Sequence, residues 1–428
     1  MIEKNLLINK IRHISSLIGL YLLASIIPTF IKIAINPLIA LNMAPKDYAI
    51  VGFYNSFNPL ISPLISFYAF SYYTKKYFEM DYKDRKILKG TIVQSLIYLS
   101  FFMSVFVLGG LYVYMNFFNK KSVISFFPYA LLSVFSIPLT GIITFKLTDY
   151  KMEKKSKEFF NLSVSKGVLA ALLSILLVVI FKYGAMGRLS ATFLAALFLF
   201  FYAIYSEWEV IKQKFDLSIL KEMLFFVWPL ILGAMLHFFT NGYDRVYLER
   251  LGNEEEFGFY VVAVQIVAMI GIFQTAINNT FQPDVYKAVV NRNWKTTAKY
   301  VSIQIFSILS IVLVFVLIAP TVVDILTAGR YVYSTKYVRV LAFSQFTMSM
   351  YFVTTEITIV LGYTKLALFN KILGVVVTVL LYSFLISNWN FMGAAFGNVI
   401  SYFMMMIINI MFLTVWIKWK NKTKLNMV

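Results

Sequence analysis

The sequence predicts an all-α, polytopic membrane protein with about 12 transmembrane helices. Of its 428 residues, 60% are hydrophobic and only 14% are charged, whereas an average soluble domain is about 25% charged. Too few polar residues remain to cover a soluble core. In addition, apolar runs of about 20 residues, the length that crosses a bilayer, recur along the whole chain. Breaks that are rich in Lys and Arg alternate along the chain with breaks that are poor in them, as expected when successive loops lie on opposite sides of a membrane.

Twelve apolar runs, separated by short polar breaks, define the predicted helices 1 to 12. Their approximate ranges are 14–39, 49–72, 90–115, 123–145, 162–181, 187–206, 223–247, 257–281, 299–319, 338–361, 366–387 and 392–416. We expect predicted helices 1–6 to form an N-terminal lobe, residues 1–210, and predicted helices 7–12 a C-terminal lobe, residues 211–428.

The distribution of basic residues predicts the orientation of the chain. The N-terminal arm, the even-numbered breaks and the C-terminal tail hold 28 of the 39 Lys and Arg residues, and the odd-numbered breaks hold nine. This count places Lys166 in an even-numbered break and Arg188 in an odd-numbered one, and leaves only Lys32 and Arg245 inside helices. Because basic residues collect on the cytoplasmic side, both termini are predicted to be cytoplasmic.

Other features of the composition exclude several functions. The net charge of +19 follows from the basic cytoplasmic breaks, so nucleic acid is not a predicted partner. The chain has no Cys, no phosphate-binding loop motif and no His/Asp/Glu cluster with metal spacing. Neither a metal nor a cofactor is therefore expected. Most Trp residues lie near predicted helix ends and are expected to act as interface anchors: Trp208, Trp228, Trp389, Trp416 and Trp419.

Two pairs of segments indicate an internal repeat. MAPKDYAIVGFY (43–54) resembles GNEEEFGFYVVA (252–263), and YGAMGRLSATF (183–193) resembles NFMGAAFGNVI (390–400). The first pair is offset by 209 residues, and the second by 206 when Met186-Gly187 is matched to Met392-Gly393. Because these offsets are nearly equal, predicted helices 1–6 and 7–12 are interpreted as two pseudo-symmetric copies of one unit. Both copies begin on the same side, which is typical of carriers with parallel repeats.

Polar residues recur at helical spacing on several predicted helices, and one polar face per helix is expected to line a cavity. The candidate cavity residues are Asn36, Asn55, Asn58, His237, Asn241, Asp244, Gln274 and Asn278. The alternative, hydrogen bonds between packed helices worth about 0.6 kcal/mol each, stays open for the isolated polar residues. His237 is likewise either a proton relay or a hydrogen-bonded residue.

Charged residues at membrane depth are the stronger candidates, because each costs about 2.5–3.5 kcal/mol to insert. The repeat places Lys32 level with Asn241, so Lys32 and Arg245 are expected at the same depth. Two cations there suit an anionic group such as a phosphate or diphosphate. Glu356 and Asp244 are the candidates for ion coupling, because a carboxyl group in a dry site can exchange a proton or a sodium ion.

The segment NGYDRVYLERLGNEEEFGFYVVA resembles the bacterial lipid-linked oligosaccharide flippases of polysaccharide biosynthesis. That family has an Asp-Arg pair, here Asp244 and Arg245, followed by a short loop and G-x-Y-x-x-A, here Gly258, Tyr260 and Ala263. PKDYAIVGFY is similar to the family's P-x-x-Y-G segment, with Ala49 in place of the usual Gly. LGYTKLAL and YGAMGRLSAT also fit. The resemblance implies a two-lobed, MATE-like fold of the multidrug/oligosaccharidyl-lipid/polysaccharide exporter superfamily.

The resemblance also implies a function. Such a flippase moves undecaprenyl-diphosphate-linked repeat units to the outer leaflet of the bacterial cytoplasmic (inner) membrane, for O-antigen, capsule or exopolysaccharide. The implied partners are that lipid-linked oligosaccharide, membrane lipids, and the polysaccharide polymerase and chain-length proteins; H⁺ or Na⁺ is the implied coupling ion. The alternatives are a MATE-type drug/cation antiporter, a lipid II flippase and, from another class, a membrane enzyme of polysaccharide assembly. A cationic cavity argues against cationic drugs.

Overall fold

The computed structural model describes the backbone of residues 2–119 and 122–425 and the side chains of residues 20–119 and 122–416. The basic side chains of the N-terminal arm and C-terminal tail, Lys120, Lys121 and Trp419 lie outside these described residues. The chain folds into two compact units, Met1–Met235 and Leu236–Val428, here called unit 1 and unit 2. The predicted lobe boundary at 210/211 stays a prediction.

The described residues of unit 1 form ten α-helices. They are α1 (Ile2–Asn42), α2 (Pro45–Ser56), α3 (Asn58–Ser66), α4 (Ala69–Lys76), α5 (Tyr82–Val113), α6 (Tyr129–Met152), α7 (Ser156–Ser174), α8 (Gly184–Ser206), α9 (Trp208–Ile211) and α10 (Leu217–Met235). Two π-helical segments, Tyr114–Phe118 and Ile175–Ile180, extend α5 and α7. The helices α4, α5, α6, α8 and α10 share one buried apolar core, and α1, α6, α7 and α8 share a second.

As far as the structure describes it, unit 2 contains seven α-helices and a short 3₁₀ turn, Val332–Ser334. They are α11 (His237–Asn241), α12 (Tyr243–Glu249), α13 (Glu254–Val267), α14 (Ile270–Val290), α15 (Trp294–Thr327), α16 (Thr335–Val360) and α17 (Thr364–Leu425). Asn390 interrupts α17 with φ 49° and ψ −130°, so this long helix consists of two rods that match the separate predicted helices 11 and 12.

The all-α membrane fold is confirmed. Nine of the described helical segments are long and apolar enough to cross a membrane, which makes the chain a multi-pass membrane protein. The segment Thr364–Trp416 counts as one of the nine although it contains the break at Asn390. Predicted helix 2 is divided at Phe67 and Tyr68, both with positive φ, and is not among the nine. The number of twelve spans stays a prediction.

Backbone contacts support the repeat that the sequence indicates. A Cβ added at Gly187 would lie 2.8 Å from the Leu177 carbonyl oxygen, and a Cβ at Gly393 would overlap the Leu385 carbonyl oxygen. Each glycine therefore allows a helix of its own unit to begin in direct contact with the end of the preceding helix. The two contacts occupy corresponding places in the two copies.

Charged side chains are buried together at one end of unit 1. The ammonium group of Lys89 lies 2.6 Å from Asp149 and 2.8 Å from Glu207, and Lys146 also pairs with Glu207. The Tyr73 hydroxyl donates to Asp149 at 2.5 Å. Two cations and two anions compensate one another, as buried charges require. This neutral cluster ties α4, α5 and α6 to the end of α8.

The packing of α1 on α7 depends on Gly167. A Cβ at this position would lie 2.7 Å from Cβ and 2.9 Å from Cα of Pro28. We predict that Gly167→Ala destabilises the protein by about 1–3 kcal/mol, the usual cost of overpacking. Gly109→Ala is the matched control, because Gly109 is also helical and has nothing within 4 Å of an added Cβ. It should be neutral or stabilising by up to about 1 kcal/mol.

Thermal unfolding of the purified protein in detergent measures both effects. Equal melting temperatures for Gly167→Ala and the parent protein would contradict the close approach of α1 and α7.

Candidate functional site

A cavity of about 570 Å³ lies within unit 1. Small-molecule sites usually span about 300–1,000 Å³, so it is large enough to hold a ligand. Residues of α1, α2, α3, α6, α7 and α8 line it. Its neutral polar lining consists of Ser25, Asn55, Asn58, Ser133, Ser136, Ser163, Ser174 and Thr192.

Three cations also line this cavity: Lys32 of α1, Lys166 of α7 and Arg188 of α8. No Asp or Glu is among the described residues that line it. Lys32 and Arg188 lie near enough to repel one another, and none of the described lining residues is a carboxylate that would offset this repulsion. A cavity with three cations and no anion is suited to a ligand with several negative charges, such as a phosphate or diphosphate.

The wall of the cavity that carries Lys32 is held by a hydrogen bond from α7 that replaces one missing within α1. Pro28 has no N–H, so the carbonyl group of Ala24 loses its helical donor. The Ser163 hydroxyl of α7 donates to that carbonyl oxygen at 2.7 Å. Gly167, one turn further along α7, allows the close approach. Lys166 lies between these two contacts, so the same packing holds Lys32 and Lys166 on the cavity.

A serine at the end of α7 orients the third cation. The Ser174 hydroxyl donates to the Ala170 carbonyl oxygen at 2.7 Å and accepts from Nη1 of Arg188 at 2.8 Å. The π-helical turn begins directly after Ser174. Such turns often occur at functional sites. Arg188 keeps its other guanidinium donors for a ligand, since an arginine has five.

The structure corrects the assignment of two of these cations. Lys166 and Arg188 were counted with the loops, but they lie inside α7 and α8 and line the cavity. Lys166 falls within predicted helix 5 and Arg188 within predicted helix 6. These ranges were sufficient to identify both as charged residues inside a helix. Lys32, Asn55 and Asn58 line the cavity as well, whereas Asn36 is on α1 but not among its lining residues.

Unit 2 contains a different polar centre around Asp244. Its Oδ2 accepts from the Tyr260 hydroxyl at 2.7 Å and from the Asn398 side chain at 3.2 Å. Oδ1 is buried without a hydrogen-bond donor among the described residues and lies 3.6 Å from Nε of Arg245. Arg245 also donates to the carbonyl group of Asn241. One oxygen of the carboxylate is therefore bonded by neutral donors, and the other oxygen has only the nearby charge of Arg245.

The remaining candidate residues of unit 2 form short polar chains. Asn241 contacts His237 and donates to the Tyr402 hydroxyl at 2.7 Å. Gln282 donates to Glu356 at 2.9 Å. Gln304 donates to Asn278 at 2.5 Å. Gln274 is buried.

The roles in diphosphate binding and ion coupling that the sequence analysis assigned to these residues stay predictions. The pairing of Lys32 with Arg245 joins residues of both units and stays a prediction. Among the described residues, no group of three His, Cys, Asp or Glu side chains is placed to hold a metal ion.

The fold defines the class of protein. A lipid II flippase, MurJ in its inward closed conformation, superposes with a TM-score of 0.73 at 11% identity, over 93% of this chain and 87% of MurJ. An inward-facing MATE multidrug transporter of the MOP superfamily gives 0.65 at 17% identity, over 94% and 99%. A MOP transporter from Pyrococcus furiosus, described as having a binding pocket of reverse polarity that suggests a different function, gives 0.53 at 14% identity, over 92% and 93%. The chain has the fold of these transporters.

The family follows from the sequence. A family model described as polysaccharide biosynthesis protein matches residues 83–331, which is more than half of the 428 residues. The chain belongs to this family, and the resemblance noted from its motifs is confirmed. No curated protein matches the chain.

A double-mutant cycle tests how the cavity wall is held. We predict that Ser163→Ala destabilises the protein by about 0.6–1.7 kcal/mol, the range for hydrogen bonds between membrane helices. In a Pro28→Ala background the same change should cost less, because residue 28 then donates its own N–H to Ala24. Ser165→Ala, an exposed serine of the same helix, is the control and should change stability by less than about 0.5 kcal/mol.

The readout is the thermal midpoint of the four proteins of the cycle. Strictly additive effects of the two substitutions would show that Ser163 does not replace the donor that Pro28 lacks.

Proposed function

We propose that this protein is a flippase that translocates undecaprenyl-diphosphate-linked oligosaccharide repeat units from the inner to the outer leaflet of the bacterial cytoplasmic membrane. The observation that carries the proposal is the acid-free cavity of unit 1 with Lys32, Lys166 and Arg188. Membership of the polysaccharide biosynthesis family supports the idea that the exported repeat units are used for a surface polysaccharide. This polysaccharide would be O-antigen, capsule or exopolysaccharide.

The chemistry of the substrate matches the lining of the cavity. A diphosphate carries several acceptor oxygens, and the two ammonium groups and the guanidinium group would donate charge-assisted hydrogen bonds to them. The serine and asparagine side chains would bond the hydroxyls of the adjoining sugar. The polyprenyl chain would stay in the lipid, because it gains nothing from a polar cavity.

The membrane potential would favour export. Moving negative charge outward across an inside-negative membrane releases about 2.3 kcal/mol per charge per 100 mV. An H⁺ or Na⁺ gradient could add to this through Asp244 or Glu356, the candidate coupling groups. Both termini would lie in the cytoplasm, and the polymerase and chain-length proteins would receive the product.

A lipid II flippase is the second candidate, because MurJ has a similar fold and lipid II shares the diphosphate chemistry. Transport with each lipid-linked substrate separates the two. A drug/cation antiporter is disfavoured, since three cations would repel a cationic drug. We also propose transport and not catalysis, in line with the flippase and transporters that share the fold.

The cationic cavity is tested by removing its charges. We predict that Lys32→Ala, Lys166→Ala and Arg188→Ala each lower polysaccharide export by about tenfold to a hundredfold, because a hydrogen bond to a charged group contributes about 1.5–3 kcal/mol. Lys157→Ala is the matched control, an exposed lysine at the start of α7 that is not among the cavity-lining residues. It should export normally.

Export is measured as surface polysaccharide in a strain whose own flippase is deleted, at matched amounts of membrane-inserted protein. Normal export by the triple variant would refute the cationic site.

Ion coupling is tested separately in proteoliposomes. We predict that Asp244→Asn or Glu356→Gln removes the acceleration of transport by an imposed H⁺ or Na⁺ gradient, because neither amide binds and releases a cation as a carboxylate does. Asp284→Asn, an exposed acid of α14, is the control. If both variants keep the full response to the gradient, neither carboxylate is the coupling group.

A further inference from the structure

A second cavity, of about 450 Å³, lies at one end of unit 2. Three segments line it: the start of α13 with Glu256 and the turn before it, the start of α16 with Lys336 and Tyr337, and the break in α17 with Trp389 and Asn390. All three segments belong to odd-numbered breaks, which the distribution of Lys and Arg places outside the cytoplasm. We call this cavity the outer pocket.

One wall of the outer pocket is polar and held by hydrogen bonds. Oε1 of Glu256 accepts from Nζ of Lys336 at 2.6 Å and from the Tyr337 hydroxyl. The Asn253 side chain, which caps α13, accepts from the backbone N–H of Glu256 at 3.0 Å. The wall therefore presents a carboxylate, an ammonium group, a phenol and amides at fixed positions. Together these donors and acceptors match a ligand rich in hydroxyl groups.

The other wall is aromatic. Trp389 lines the pocket and is 55% exposed. Its indole packs edge-on against Phe396, with ring centroids 6.5 Å apart, so a neighbouring ring limits its motion. A pyranose has an apolar C–H face that stacks on an indole, and hydroxyl groups at its edge that bond to polar side chains. If Trp389 were only an anchor at the membrane interface, its indole ring would be sufficient for that role. The role of an anchor does not explain why a polar wall lies opposite the ring.

The backbone between these walls is strained. Asn390 has φ 49° and ψ −130°, a conformation that costs about 1–3 kcal/mol for a residue other than glycine. Such strain often marks a functional site. Here it interrupts α17 directly after Trp389 and places Asn390 itself on the pocket.

At the corresponding place in unit 1 a carboxylate lies against the backbone. Asp47 occupies the position of α2 that Glu256 occupies in α13, the third residue of the helix. Its carboxylate accepts from the N–H of Ala44 at 2.8 Å and of Ala185 at 2.9 Å. Gly184, the counterpart of Asn390, lies against this carboxylate, and a Cβ there would be 2.8 Å from Cγ of Asp47. In unit 2 the longer Glu256 turns to α16, so the space stays open.

We propose that the outer pocket binds the saccharide part of the lipid-linked substrate on the extracytoplasmic side, with a pyranose ring stacked on Trp389 and its hydroxyls bonded to Glu256 and Asn390. This inference rests on the proposed function for the nature of the sugar. It assigns to unit 2 a site that is separate from the cationic cavity and recognises no phosphate.

The test uses a probe without lipid or phosphate. The repeat-unit oligosaccharide is released by mild acid from the lipid-linked pool of the cell that carries this protein, and dephosphorylated. Saturation-transfer NMR then measures its binding to the full chain in detergent. We predict binding by the parent protein, retention in Trp389→Phe, and a loss of about tenfold or more in Trp389→Ala, as for truncation of an aromatic hot spot.

The matched control is Trp228→Ala, which removes a tryptophan of similar exposure, 53%, from unit 1. It should bind as the parent protein does. If Trp389→Ala does not fold, Glu256→Gln serves instead. This change keeps the shape of the side chain, removes its charge, and should also weaken binding by about tenfold.

Two results would overturn the proposal. Absence of binding by the parent protein would exclude the pocket as a sugar site, and unchanged binding in the Trp389 or Glu256 variants would leave Trp389 as an interface anchor. Neither result affects the export measured for the cationic cavity, so failure of the outer pocket and failure of the flippase proposal are distinguishable.

Discussion

The carbonyl group of the fully buried Ala24 has to find its hydrogen-bond donor within the protein. In lipid an unpaired backbone group costs several kcal/mol, and Pro28 removes the donor that the helix would otherwise supply. Ser163 meets this need, and Gly167 makes the approach of the two helices possible. The polar wall of the unit 1 cavity depends on this one contact, because it sets which faces of α1 and α7 meet and therefore where their lysines project.

The two units deal with buried charge in different ways. At one end of unit 1, Lys89 and Asp149 belong to a neutral cluster, whereas the cations of the unit 1 cavity have no acid among the described residues that line it. In unit 2 the carboxylate of Asp244 accepts from two neutral donors and lies 3.6 Å from Nε of Arg245. A compensated charge stabilises packing, but an uncompensated one is costly unless a ligand completes it. The cations of the unit 1 cavity are accordingly the charges to which we assign binding of the diphosphate.

Much of the fold was predictable, because the length of each apolar run and the basic residues beside it can be read from residues that are adjacent in the sequence. Predicted helix 6, 187–206, corresponds to α8, and the repeated Gly187 and Gly393 occupy corresponding contacts. The cavity was only partly predictable. Lys166 and Arg188 were placed in loops because the count treated every basic residue near a helix end as a flank. The bonds from Tyr260 and Asn398 to Asp244 join residues distant in sequence, and spacing along one helix does not reveal such partners.

Tyr337 lines the outer pocket and also contacts Tyr260, so it connects the pocket with the surroundings of Asp244. Its hydroxyl donates to Glu256, while its ring lies 5.7 Å from that of Tyr260, which in turn bonds Asp244. A ligand that shifted Tyr337 would therefore alter the surroundings of the Asp244 carboxylate. Thermodynamic linkage would make such coupling reciprocal: a cation held at Asp244, as we propose, would change the affinity for a sugar by the same factor as the sugar would change the affinity for the cation.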